Sequence, residues 1–211
     1  MDFFLDSNVI IGYVFYQADY WGIPSKNVIK RAEKKYSGHT VEVECFDLQR
    51  GKCSLVRREI SSEFFKAVAN IEENQSIDFL LYDAEIEKWK IINILKNILD
   101  GFKGDIISLK EELREYQRRF EIESKTRQKS VKNLVIFSYR TQRYKDIHAA
   151  LGKIIQNIND IEVILDAHEL AHIHDELVLI TGDHKDILKN KPNILPLVKI
   201  LDIKNLMEYN S

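Results

Sequence analysis

Apolar residues follow two rhythms along this chain. Phe3-Phe4-Leu5 and Leu177-Val178-Leu179-Ile180-Thr181 are short, nearly uninterrupted apolar runs, as expected of strands covered on both faces. Most of the remainder repeats with the period of about 3.6 residues that lines one face of a helix. A helix is expected from residue 8 to about 20, on Val9, Ile10, Tyr13, Val14 and Tyr20. Pro24 opens a second over Ser25 to Lys35, and Ser37-Gly38 ends it. Val41 and Val43 alternate with Glu42 and Glu44, which predicts a half-exposed strand. A turn at Gln49 to Lys52 leads to another short strand at Cys53 to Leu55. Val56, Ile60, Phe64, Ala67, Val68 and Ile71 then form a helical stripe to about Asn74.

From about 76 to 160 the texture is helical and lacks proline. Trp89, Ile92, Leu95 and Leu99 predict one helix, broken at Asp100 to Asp105. Leu109, Leu113, Tyr116 and Phe120 predict a second, and Ile147, Leu151, Ile154 and Ile158 a third. Val131 to Phe137 is too short to assign. This middle reads as a hairpin-like helical insertion into one domain. An amphipathic helix over 161 to 174, the strand at 177 to 181, a short helix, a loop at Pro192 to Pro196, a strand at Leu197 to Leu201 and a last helical turn at Lys204 to Tyr209 complete the chain. Strands alternating with helices imply an α/β fold with a mainly parallel sheet and helices on both faces.

Composition narrows the classes. The chain has 211 residues, 45% hydrophobic and 30% charged, enough for a real core. No apolar stretch approaches the roughly eighteen residues of a membrane span, and the start lacks the pattern of a secretory signal. Cys45 and Cys53 have no CxxC spacing and read as reduced thiols of a cytoplasmic protein. A net charge of −2 excludes a chain that coats nucleic acid along its whole length, though not a local basic patch.

Two predicted strands end in acid, at Leu5-Asp6 and at Ile180-Thr181-Gly182-Asp183. In a parallel sheet neighbouring strands bring such carboxylates to one edge, where α/β folds bind ligands. Asp166 lies on the helix that feeds the second strand. Clustered carboxylates repel one another, and hard divalent cations resolve the repulsion. Each acid also has a plainer role open to it: Asp6 and Asp183 could simply cap helices. Asp166 could be a solvated helix residue, and Glu59, beside Arg57 and Arg58, surface charge.

Phe4-Leu5-Asp6-Ser7-Asn8-Val9-Ile10, Val56-Arg57-Arg58-Glu59, Ile164-Leu165-Asp166-Ala167 and Ile180-Thr181-Gly182-Asp183 together resemble the PIN-domain family of metal-dependent ribonucleases. The resemblance covers roughly residues 1 to 75 and 160 to 207. It implies a three-layer α/β/α fold in which Asp6, Glu59, Asp166 and Asp183 hold Mg²⁺ or Mn²⁺, with Glu63 competing for the place of Glu59. Asn8 and Thr181 would steady that shell, and Asp186 would assist. The implied activity is a metal-dependent endoribonuclease that hydrolyses RNA; the alternative is a catalytically silent PIN-like module that binds RNA or a protein. Single-stranded or looped RNA is the expected partner, with a second copy of the chain and a regulatory protein as further candidates.

Three other features bear on function. His168-Glu169-Leu170-Ala171-His172 fits the HExxH pattern of zinc peptidases. A helical wheel puts His172 roughly opposite the apolar face and His168 on its border, however. The helix also leads into an apolar strand and a TxD turn, where a zinc peptidase normally has a segment with the third ligand; His174 and His184 add only incidental metal binding. A phosphatase of the haloacid-dehalogenase class also opens on a strand and an Asp, but needs a second Asp where this chain has Asn8. Between Arg118 and Lys145 cations far outnumber acids, and Phe120, Phe137, Tyr139 and Tyr144 are interleaved. Arg118, Arg119, Arg127, Lys129, Arg140 and Arg143 are the candidate contacts to an RNA backbone.

Overall fold

The computed structural model describes residues 1–16, 22–72, 98 and 105–210. It is an α/β structure whose five described strands, β1 (Asp2–Leu5), β2 (Lys35–Gly38), β3 (Val135–Ser138), β4 (Leu177–Thr181) and β5 (Asp202–Asn205), form one parallel sheet in the order β3-β2-β1-β4-β5, flanked by helices. The central pair are the two apolar runs. Phe3, Phe4, Leu5, Leu177, Leu179 and Ile180 are fully buried, as strands covered on both faces require.

The chain steps from β1 to β2 to β3 in one direction, then returns past β1 to β4 and continues outward to β5. Right-handed crossovers place the intervening helices on opposite faces for the two directions, which makes three layers. The reversal falls between β1 and β4, where ligands collect in such sheets. Leu5 lies opposite Ile180, and Asp6 N–H donates to the Ile180 carbonyl at 3.1 Å. Asp6 and Thr181-Gly182-Asp183 therefore leave the sheet at one point.

The helices are α1 (Ser7–Phe15), α2 (Gly22–Lys30), α3 (His39–Phe46), α4 (Lys52–Glu72), α5 (Ile106–Leu134), α6 (Lys145–Leu151), α7 (Ile158–Leu170) and α8 (Lys191–Ile194), with a π-helical turn at His184–Leu188 and 3₁₀ turns at Leu195–Leu197 and Leu206–Tyr209. Among the described residues none is long and apolar enough to cross a membrane.

Several elements differ from the expectation. The second helix ends at Lys30, and Lys35 to Gly38 form β2 despite their polarity. Their polar groups are satisfied: Lys35 Nζ donates to the Arg31 and Glu33 carbonyls, and Ser37 Oγ to the Leu5 carbonyl at 2.7 Å. Residues 39–46 form a helix rather than a strand, because Val41 and Cys45, four apart, are the buried pair while Val43 is exposed. Cys53 to Leu55 begin α4. The helix expected across 147–158 is two helices, and Asn157 caps the second by accepting from Asn159 N–H. The last strand lies at 202–205, not 197–201; at a sheet edge the single buried Ile203 suffices. The helix expected on Trp89 to Leu99, its break at 100–104, and Tyr20 lie outside the described residues.

The chain divides into two compact units, Met1–Ser54 with Thr126–Ser211, and Leu55–Lys125. The segment from 126 to 160, grouped by periodicity with the insertion, belongs to the sheet unit and supplies β3 and α6. Within the second unit α4 and α5 pack antiparallel. Phe64 stacks on Tyr116, Ser61 donates to Glu121 and Arg57 to Ser124, so one index rises as the other falls. Ile60, Phe64, Leu109, Leu113 and Phe120 form the buried seam.

Candidate metal centre

Asp6 is 4% exposed and performs two tasks. Its Oδ1 accepts from Ser7 N–H at 2.5 Å, capping α1, and its Oδ2 accepts from Thr181 Oγ1 and Asn8 Nδ2, each at 2.6 Å. Asn8 in turn accepts from Gly182 N–H at 2.8 Å, and Thr181 Oγ1 accepts from Asp183 N–H at 2.9 Å. The ends of β1 and β4 are thus laced into one rigid corner. Burial pushes the Asp6 carboxyl above its ordinary range, and the Thr181 and Ser7 hydrogen bonds work against that shift.

Asp183 caps the π-helical turn, its Oδ1 accepting from Asp186 N–H at 2.8 Å. Asp183, Asp186 and Asp160 each bring a carboxylate oxygen within 4.8 Å of the others. Asp160 stands in the first turn of α7, where a helix N-terminus tolerates an acid. Its Oδ2 is buried with no hydrogen-bond partner. Burial, and then the charges of Asp6, Asp183 and Asp186, push its carboxyl up to about 7. An orphaned buried oxygen among like charges is the environment a hard cation relieves, so these three carboxylates could hold a metal ion.

Glu44 adds a further acid. It projects from α3, its charge acts on Asp6, and it is paired with Lys52. Lys52 Nζ also lies 3.4 Å from Ser7 Oγ. Burial disfavours the Lys52 ammonium, but Glu44 and Asp6 more than offset this and hold its pKa above the ordinary value.

The structure therefore brings together Asp6, Asn8, Thr181, Asp183 and Asp186 of the expected set. Asp166 is separate. It is 4% exposed, accepts from Thr40 N–H at 3.2 Å, and lies 3.7 Å from Arg140 Nε. A Cβ on Gly38 would fall 2.6 Å from Asp166 Cγ, so this carboxylate occupies the space a side chain there would need. Asp166 ties α7 to the end of β2, and Asp160, six residues earlier, is the α7 acid grouped with Asp183 and Asp186. Glu59 is exposed on α4 in the second unit and is not among the grouped acids; Glu63 pairs with Lys66. Asp160 and Glu44 escaped sequence reasoning. An acid three residues after the Asn157 cap was the available signal for the first. Reading 41–44 as a strand hid the second.

The basic residues also divide. Arg140 is largely buried, paired with Glu162 and near Asp166. Arg127 Nε donates to the Val14 carbonyl at 2.7 Å. Arg118 pairs with Glu115 and Arg119 lies over the Tyr116 ring, both on α5 in the second unit. Lys129 and Arg143 are exposed in the sheet unit.

In HExxH, the backbone N–H of Lys199 donates to His168 Nδ1 at 2.9 Å, which leaves the proton of the neutral ring on Nε2, facing His172 Nε2 at 3.4 Å. Burial, and then His172, hold the His168 pKa below its ordinary value, which favours the neutral ring. Glu169 accepts from Thr141 N–H and Oγ1 and from Gln142 N–H at 2.7–3.0 Å. The motif is a brace for the loop after β3.

No protein-family model, curated protein or solved structure matches the chain.

Proposed function

We propose that this chain is a PIN-like, metal-dependent endoribonuclease, in which Asp160, Asp183 and Asp186 hold Mg²⁺ or Mn²⁺ beside Asp6 and Glu44. The observation that carries the reading is the half-buried Asp160 carboxylate: its Oδ2 is buried without a hydrogen-bond donor, and it is grouped with two more aspartates at the sheet's switch point. A divalent cation bound there supplies the charge for in-line hydrolysis of a phosphodiester. The chain's own residues arrange the rest. Thr181 and Asn8 fix the Asp6 carboxylate, Lys52 holds Glu44 in place, and Asp160, about half protonated at pH 7, would have to give up that proton to hold a cation. No covalent intermediate with the protein is required.

The geometry favours this over the zinc peptidase, because Glu169 is occupied by the 141–142 backbone and His168 uses Nδ1 as an acceptor. The test is Mn²⁺-dependent cleavage of unstructured RNA by wild type, Asp183→Asn and Asp166→Asn. Loss in the first variant with retention in the second supports the reading. Equal activity in wild type and Asp183→Asn refutes it, and RNA binding without Mn²⁺-dependent cleavage by the wild type would identify a silent binding module.

A further inference from the structure

The carboxyl edge of the sheet carries a second feature, two strands from β1. His39 follows β2, and Tyr139 follows β3. Since β1, β2 and β3 are parallel and in register, both side chains leave the sheet at the edge that presents Asp6. Adjacent strands are about 4.8 Å apart, so β3 is roughly 10 Å from β1. The His39 and Tyr139 rings lie against each other at a tilt, with centroids 4.8 Å apart and planes inclined by 32°. Tyr139 nonetheless remains 64% exposed, unusual for an aromatic already covered on one side.

The pair is held rather than loose. Tyr139 Oη donates to Glu42 Oε2 at 3.1 Å, and His39 Nδ1 lies 3.8 Å from the same oxygen. The next residues are pinned by Arg140 to Glu162, and by Thr141 and Gln142 to Glu169. Such bracing lowers the ordering cost of binding. Glu42 keeps phosphates from the tyrosine hydroxyl, so the platform suits a neutral π-face. Arg143, exposed in the same loop, offers charge to a neighbouring phosphate.

We propose that His39 and Tyr139 form a stacking platform for an unpaired base of a single-stranded nucleic acid whose backbone runs across the acidic corner. This rests on the proposed nuclease reading and makes its substrate a single strand, since a base within a duplex has no free face. The separation from Asp6 lies within the few nucleotides that single-strand sites span.

The experiment is fluorescence anisotropy with a labelled oligouridylate of about twelve nucleotides, its DNA counterpart and a fully paired RNA hairpin, with EDTA present so that nothing is cleaved. Wild type should prefer both single strands to the hairpin. Tyr139→Ala should weaken single-strand binding by about five- to one-hundred-fold, the range for one lost stack, while Tyr139→Phe stays within about twofold of wild type. His39→Ala should give a smaller loss in the same direction. Wild-type-like binding by Tyr139→Ala, equal affinity for the hairpin, or no oligonucleotide binding by wild type overturns the proposal; the last result would reassign the exposed pair to a protein contact. Mn²⁺-dependent cleavage with unchanged binding in Tyr139→Ala would sink the platform and leave the nuclease. Tyr139-dependent binding without cleavage would do the reverse.

Discussion

Titrating Mn²⁺ into the metal-free protein should expel a proton, in an amount set by Asp160. Its carboxyl sits at about 7 in the folded chain because burial and three neighbouring aspartates oppose the charge. A cation among Asp160, Asp183 and Asp186 reverses that balance and requires the ionised form. The protonated fraction before binding is about 0.9 at pH 6, 0.5 at pH 7 and 0.1 at pH 8, so proton release should fall in that order. The same shift fixes how metal-free stability varies with pH. The folded value lies above the ordinary 3.8, so the folded state binds more protons between the two. The contribution is therefore fully present in acid and disappears as pH rises from about 4 through about 7. The raised Asp6 carboxyl acts in the same sense. Isothermal titration calorimetry in two buffers of different ionisation heat measures the released protons directly. Release that is independent of pH between 6 and 8, or identical in Asp160→Asn, would refute the assignment of Asp160 to the cation.

Asp160→Asn should abolish Mn²⁺-dependent cleavage yet stabilise the metal-free protein at pH 8. After discounting for partial exposure the gain is roughly 1–2 kcal/mol, or about 2–8 °C in Tm, read by thermal melts. Arg140→Leu leaves the buried Asp166 without its cation and should cost about 3 kcal/mol in chemical denaturation, before any effect on RNA binding is interpretable. Gly38→Ala should displace Asp166 and lower Tm; an unchanged melt would show that the corner has room to spare. Chelation and re-addition of Zn²⁺ should not produce peptidase activity, and His172→Ala should leave RNA cleavage intact.

What was legible follows from which interactions write themselves into local sequence. β1 and β4 are central, buried on both faces and apolar throughout, so their existence and their terminal acids could be read directly. β2 could not: Lys35, Ser37 and Gly38 are buried, but their polarity is resolved by carbonyls elsewhere and by the close approach of Asp166. β3 is only Val135 to Ser138, too short for a periodic signal. The corner of the site was legible through Asp6, Asn8, Thr181 and Asp183, because motif residues at two strand ends must meet if those strands pair. Asp160 and Asp166 share one helix, and only the tertiary contacts of α7 decide which is grouped with Asp183 and Asp186. Arg140 likewise has the look of a surface cation, and only Glu162 and Asp166 reveal its partners.

The hydrogen bond from Thr181 to Asp6 joins residues 175 positions apart, and the corner closes only when both of these segments are present. At roughly 5–20 residues added per second, the first aspartate waits many seconds on the ribosome before its partners emerge. Parallel strands paired across such separations also form slowly once synthesis ends. The acidic corner thus carries its own delay: an incomplete chain has Asp6 and Glu44 but neither Asp160 nor Asp183. Whatever chemistry this corner performs is withheld until residues 160 to 186 have been made and have packed beside the end of the first strand.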